Sequence, residues 1–233
     1  MKKQIINLFS VIIGCALLVS CGGNSVKEST VLGKVPSLIT GNDETMEGLR
    51  DKLSNASSES DAKSIFKKGE ELDAKFKAQI EEQNEALKNK EIPTEVDKDV
   101  PFKLIKPFTI ESVNDNGTFT VSAEGEFTEP VRRVLDFEKF NGSSIQVVYL
   151  TKEGTPIGAT SGNCSYNPPA SLDIPTGTKT TVNLKLKVNK YNSEAMNDFA
   201  KILIVANSNN ELQKKGYEYA KNLEKAYKDK KSN

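Results

Sequence analysis

The sequence predicts an α+β protein: an antiparallel β-sandwich flanked by a long N-terminal helix and a C-terminal helix. Three observations carry that expectation. Apolar residues recur at helical spacing over residues 60–89 and again over 211–230. Between these stretches the period changes to two, the mark of half-buried strands. Turn-forming clusters cut the two-fold region into short pieces with no helical interval, which favours antiparallel pairing over β–α–β units.

The chain begins with the layout of a secretory signal. Lys2 and Lys3 supply positive charge, Ile5 to Val19 is mostly apolar, with Asn7 and Ser10 within it, and the small Ser20 precedes Cys21. The apolar run falls short of the roughly 20 residues that a membrane span needs. The stretch Leu18-Val19-Ser20-Cys21-Gly22 resembles the lipobox of bacterial lipoproteins. That resemblance implies cleavage before Cys21, a thioether from its sulfur to diacylglycerol and an N-acyl chain on the new amine. No other cofactor is expected. Cys15 does not fit, because Ala16 and Leu17 follow it inside the apolar run. Multiple acyl chains hold firmly, since each buried CH₂ contributes about 0.8 kcal/mol. In the same family an aspartate directly after the cysteine retains the protein at the inner membrane. Gly22 in that place implies the outer membrane, and the absence of acidic residues over Gly22 to Ser25 leans toward its periplasmic face.

Residues 21–41 are rich in Ser, Gly and Thr and are expected to tether the domain. A helical segment is expected over 42–92. Met46, Leu49 and Leu53 form one face of a short first helix, with Asp43, Glu44 and Glu47 at its start, where the helix dipole favours anions. From Ser60 to Asn89, Ile65, Leu72, Phe76, Ile80 and Leu87 fall on a seam near the coiled-coil period, with Gly69 and Gln83 in its gaps. Ser60 or Asp61 would cap this helix and Pro93 would end it. Such a rod measures about 45 Å.

The β-sandwich is expected over 101–207. Phe119, Val121, Ala123 and Phe127 alternate with polar residues, as do Val182, Leu184, Leu186 and Val188. Ile145 to Leu150 and Ile202 to Ala206 are denser and β-branched, as central strands are. Phe102 to Ile110 reads as a strand bent or edged at Pro107. Asn114-Asp115-Asn116-Gly117, Asn141-Gly142, Lys152-Glu153-Gly154 and Pro175-Thr176-Gly177 supply the turns. The stretch from Ile145 to Gly158 resembles a hairpin of immunoglobulin-like domains in bacterial envelope lipoproteins, which implies an immunoglobulin-like sandwich and nothing about function.

Over 208–233, Leu212, Gly216, Tyr219, Leu223 and Tyr227 return to helical spacing, with lysines on the other side. Each long helix has a narrow seam that needs a partner, so the preferred arrangement pairs the two. The alternative lays the basic face on anionic headgroups.

The chain holds 32 basic and 32 acidic residues. Loss of a leader carrying Lys2 and Lys3 leaves 30 against 32, so no nucleic-acid partner is expected, because phosphate binding needs a concentrated basic excess. Histidine is absent, which removes the commonest general base and metal ligand. Tryptophan is absent too, which weakens a sugar-stacking role. After processing only Cys164 would remain as a thiol. That excludes an intramolecular disulfide or a thiolate metal cluster, and a buried small hydrophobe is the simplest role for it. Neither a phosphate loop nor a nucleophile elbow occurs, and no spacing singles out a Ser–Lys pair. Glu124, Glu126 and Glu129 sit on the polar side of a strand, as solvated charges do.

The expectation is a non-enzymatic, lipid-anchored envelope protein that binds or scaffolds a protein or an envelope polymer. A small-molecule carrier or solute sensor, with a pocket between helices and sheet, is the alternative. The candidate ligand-contact loop is 161–172, through Cys164, Tyr166, Pro168 and Pro169, because loops on rigid scaffolds carry binding residues.

Overall fold

A computed structural model describes residues 31–133, 139–166 and 171–231. Cys21, Pro168 and Pro169 lie outside these residues.

Helix α1 spans Val35–Ser54 and helix α2 spans Glu59–Leu87. Pro36 sits in the first turn of α1, where its missing N–H costs nothing and its fixed φ favours the helix. The helix therefore starts at Val35, seven residues before the expected start at 42. Val31, Leu32, Val35 and Ile39 are buried, so the described part of the expected tether, 31–41, belongs to the core. Ser58 caps α2: its Oγ accepts from the Asp61 N–H at 3.1 Å, and Asp61 accepts in turn from the Ser57 hydroxyl at 2.9 Å. Those two hydroxyls hold the Asp61 carboxyl below its ordinary pKa. Asn89, with φ of 63°, turns the chain out of α2 in the left-handed conformation that asparagine tolerates.

The strands are β1 (Glu91–Ile92), β2 (Thr94–Val96), β3 (Phe102–Val113), β4 (Thr118–Phe127), β5 (Val131–Arg132), β6 (Ser144–Leu150), β7 (Pro156–Ser165), β8 (Asp173–Ile174), β9 (Lys179–Lys187) and β10 (Lys201–Val205). Short helix α3 (Ser193–Met196) follows β9, and α4 (Glu211–Lys231) follows β10. Strands β5 and β8 pair with each other. The other eight form one mixed sheet in the order β1-β3-β4-β9-β7-β6-β10-β2, antiparallel apart from the β10–β2 pair.

The two ends of that order are successive pieces of chain. Glu91 and Ile92 pair with Thr109 and Phe108 of β3. After Pro93, Thr94 to Val96 pair with Ile202 to Ile204 of β10. The segment bridges both edges and curls the sheet into a barrel-like form, in place of the two stacked sheets of the expected immunoglobulin-like sandwich. Proline at the crossing point fits, because it has no N–H to leave unpaired as the strand changes neighbours.

Alternation decides which side chains fill the interior. Phe119, Val121, Ala123 and Phe127 of β4 and Val182, Leu184 and Leu186 of β9 are buried at every second position. Ile145, Val147 and Tyr149 of β6 face the same core as Ile202 and Ile204 of β10. Between them, Val148, Leu150, Leu203 and Val205 form a separate cluster with Leu212 of α4. Strands β6 and β10 are thus apolar on both faces because α4 covers the second one. Gly216 lets α4 approach β7: a Cβ built there would lie 2.6 Å from the carbonyl oxygen of Gly158.

The two long helices do not pair with each other. The partner of α2 is α1, its neighbour in sequence, where Gly69 of α2 faces Leu49 of α1. The C-terminal half of α2 rests on β3, with Asn84 Oδ1 accepting from the Val113 N–H at 2.8 Å. Helix α4 lies on β7 and β6. Its C-terminal part reaches α1 through Tyr227, whose hydroxyl is 3.5 Å from Glu47. The same carboxylate pairs with Lys190 at 3.3 Å, and the Lys190 ammonium stands over the rings of Tyr191 and Tyr227. Among the described residues, no helix is long and apolar enough to cross a membrane.

Candidate functional site

The structure places the expected contact loop differently from the sequence reading. Ser161 to Ser165 are strand, the last half of β7. Cys164 pairs with Val182 of β9 and packs against the core. Burial pushes its thiol up to about 12, with a smaller opposing effect from the Thr180 hydroxyl. At ordinary pH it is a protonated, unreactive group, which fits the small-hydrophobe role.

Tyr166 follows directly after β7. Its ring lies 5.8 Å from that of Phe127. Burial raises the pKa of its hydroxyl, the nearby Cys164 adds to the effect, and Arg133 opposes it. The hydroxyl is shielded from solvent and makes no hydrogen bond to the described residues. Cys164 and Tyr166 are therefore brought together, but as packing neighbours.

Tyr166 also lines a surface cleft of about 370 Å³ with Ile105, Glu124, Ser165, Lys179, Thr180 and Thr181. Pairing across four strands builds its floor. Lys106 of β3 faces Glu124 of β4, Glu124 faces Thr181 of β9, and Thr181 faces Ser165 of β7. With strands about 4.8 Å apart, this row is about 14 Å wide. Register shifts in β3 between Leu104 and Lys106 and between Lys106 and Thr109 make consecutive residues, Ile105 and Lys106, point outward. A β-bulge re-aims side chains in this way, and it leaves Ile105 43% exposed. The bend expected at Pro107 is this irregularity.

The charges of the floor are largely matched. Lys106 Nζ lies 2.6 Å from Glu124, and Lys103 Nζ lies 3.0 Å from Glu126. Glu124 thus faces the cleft as one half of an ion pair across β3 and β4. The cleft can offer a partner the Ile105 side chain, the Tyr166 ring edge, the hydroxyls of Ser165 and Thr181, and the Lys179 ammonium. Beneath it, Thr180 Oγ1 donates to the Ser165 carbonyl at 2.8 Å and ties β9 to the end of β7. Among the described residues no group of three or more Cys, Asp or Glu side chains is placed to hold a metal ion.

Sequence reasoning had placed Tyr166 and Ser165 in the contact region and weighed Glu124. It had no signal for Ile105, Lys179 or Thr181, which are spread over more than 70 residues and meet only through strand pairing. The disrupted alternation around Lys106-Pro107 was the one local hint.

Comparison with family models, with curated proteins and with solved structures found no match to this chain.

Proposed function

We propose that this chain is a non-enzymatic, lipid-anchored protein of the cell envelope that serves as a binding or scaffolding module. The anchor is Cys21, carrying diacylglycerol and an N-acyl chain at the outer membrane, on its periplasmic face. The partner docks at the cleft between Ile105 and Tyr166.

The observation that carries this reading is the composition of the cleft. An exposed apolar side chain is surrounded by matched charges and hydroxyls. That is the anatomy of a small protein interface, apolar at its centre and polar at its rim. It fits a polypeptide better than an envelope glycan, which would favour exposed aromatic platforms. The alternative, a small-molecule carrier or solute sensor, would need a pocket between helices and sheet; the interior enclosed by the sheet is filled by Phe108, Phe119, Phe127 and Leu184.

A photocrosslinking residue placed at 105 in intact cells tests the docking face, with one at the exposed Tyr219 of α4 as control. The expected result is a discrete adduct from 105 that proteinase removes. The same adducts from both positions, or none from 105, would overturn the assignment. An adduct removed only by glycan-degrading enzymes would move the partner to the polymer class. Intact mass of the native protein tests the anchor.

A further inference from the structure

We infer that the polypeptide docking at the cleft is acidic: it presents a carboxylate to Lys179 beside the apolar side chain that meets Ile105. This rests on the docking of a polypeptide at the cleft and adds the chemistry of the segment that docks.

Two charged residues line the cleft, Glu124 and Lys179. They differ in what already holds them. Glu124 lies 2.6 Å from Lys106 Nζ, across β3 and β4. Lys179 stands opposite Glu126 of β4, but Lys103 of β3 engages Glu126 from its other side at 3.0 Å. The row Lys103, Glu126, Lys179 thus carries two ammonium groups for one carboxylate. The neighbouring row through Lys106 and Glu124 carries one of each. Among the described residues no carboxylate lies within ion-pair distance of Lys179.

The hydroxyls have the same bias. Ser165 and Thr181 line the cleft and are exposed, and neither hydroxyl has a hydrogen-bond partner among the described residues. The cleft therefore offers an ammonium and two hydroxyls that are free to donate, whereas its one carboxylate is already matched. A partner that satisfies this set brings an acceptor with negative charge. A basic segment would meet Lys179 and find no unmatched anion. One carboxylate balances one ammonium, while a phosphate group would bring about 1.5 to 2 negative charges. At an exposed rim such a pair sets encounter rate and register more than total affinity, and the apolar contact at Ile105 supplies the anchor.

Two strand spacings separate β3 from β9, about 10 Å. Three residues of extended chain span the same distance. The carboxylate is therefore expected within three residues of the apolar contact.

The photocrosslinking residue at 105 tests this in intact cells, now combined with Lys179→Glu or Lys179→Arg. Lys179 is exposed on β9, so neither change disturbs the core. Lys179→Glu is expected to lower the adduct yield at least about five-fold, as like charges at a docking rim do, and Lys179→Arg to preserve it. Mass spectrometry of the crosslinked peptide should place Asp or Glu within three residues of the linked position. In isolated envelopes the yield should also fall as salt is raised above about 0.15 M, because exposed charges are screened. A yield undiminished by Lys179→Glu, an equal loss with Lys179→Arg, a yield indifferent to salt, or a linked segment without an acidic residue would each overturn the inference and leave the docking face standing. No adduct from 105 in the chain with Lys179 intact would remove the docking face and the inference together.

Discussion

The ring of Phe102 fills the place where a side chain at residue 125 would be. A Cβ built on Gly125 would collide with that ring, which meets Phe127 edge to face at 5.6 Å. Gly125 falls at an inward position of β4, between the buried Ala123 and Phe127, so the vacancy is what lets β3 start with a phenylalanine against the core. Gly125→Val should cost about 1–3 kcal/mol, as overpacking does, and should lower the urea midpoint. Gly48→Ala, in an open part of α1, should instead raise stability by about 0.5–1 kcal/mol through helix propensity.

Helix α4 depends on a second close approach. Gly216→Leu would push the helix off Gly158 and uncover Val148, Leu150, Leu203 and Val205. The expected outcome is faster amide exchange throughout 211–231 and proteolysis at Lys221 or Lys225, with the protection of β4 and β9 retained. Tyr227→Ala should loosen only the C-terminal part of the helix, where Lys190, Tyr191 and Glu47 hold it. Exchange spreading evenly over the barrel in either variant would show that α4 is no separable layer.

Ser58→Ala removes the acceptor for the Asp61 N–H. A loss of about 0.5–2 kcal/mol is expected from the missing cap. Thermal unfolding followed by circular dichroism would measure it, and Ser58→Asp should restore most of the loss.

The partly buried thiol of Cys164 gives a pH dependence of definite sign. The folded-state pKa of Cys164 is raised to about 12 by burial, while an unfolded cysteine titrates near 8.5. The unfolded chain therefore sheds this proton first as pH rises. The stabilising contribution is complete below about 8.5 and declines as pH rises toward the folded value of about 12. Tyr149 and Tyr166, both raised chiefly by burial, act in the same direction at higher pH. Urea midpoints should fall from pH 8 to pH 10.5, and Cys164→Ala should flatten the fall. At pH 8 the native thiol should react with iodoacetamide about 1,000-fold more slowly than after unfolding, in line with its lower thiolate fraction.

Much of this architecture can be read from local pattern. Strands β4 and β9 announce themselves because each has a wet face and a dry face, and period two follows directly. Helices α2 and α4 show their seams for the same reason. The start of α1 was readable too, since Pro36 is a first-turn residue, but the surrounding Ser, Gly and Thr resembled a tether. What period cannot convey is which seam meets which. Helix α2 takes its partner from α1, across a short turn, and α4 takes its own from the outer face of β7 and β6. Strands β1 and β2 are two and three residues long, too short for any period, and their pairing is a property of the finished sheet. The cleft is legible only in part for a related reason: Tyr166 stands out as an aromatic residue beside prolines, while Ile105 is turned outward by a bulge that needs β4 to exist.

Folding order follows from the segment Glu91–Val96. Its first half can pair as soon as β3 is available, but its second half has no partner until Lys201 to Val205 arrive, about a hundred residues later. Contacts of such long range form slowly, because the chain between them must be ordered first. A polypeptide emerging from its N-terminus thus stays unfinished until nearly all of it is present. A version ending before residue 201 should therefore be degraded rather than accumulate as a smaller domain.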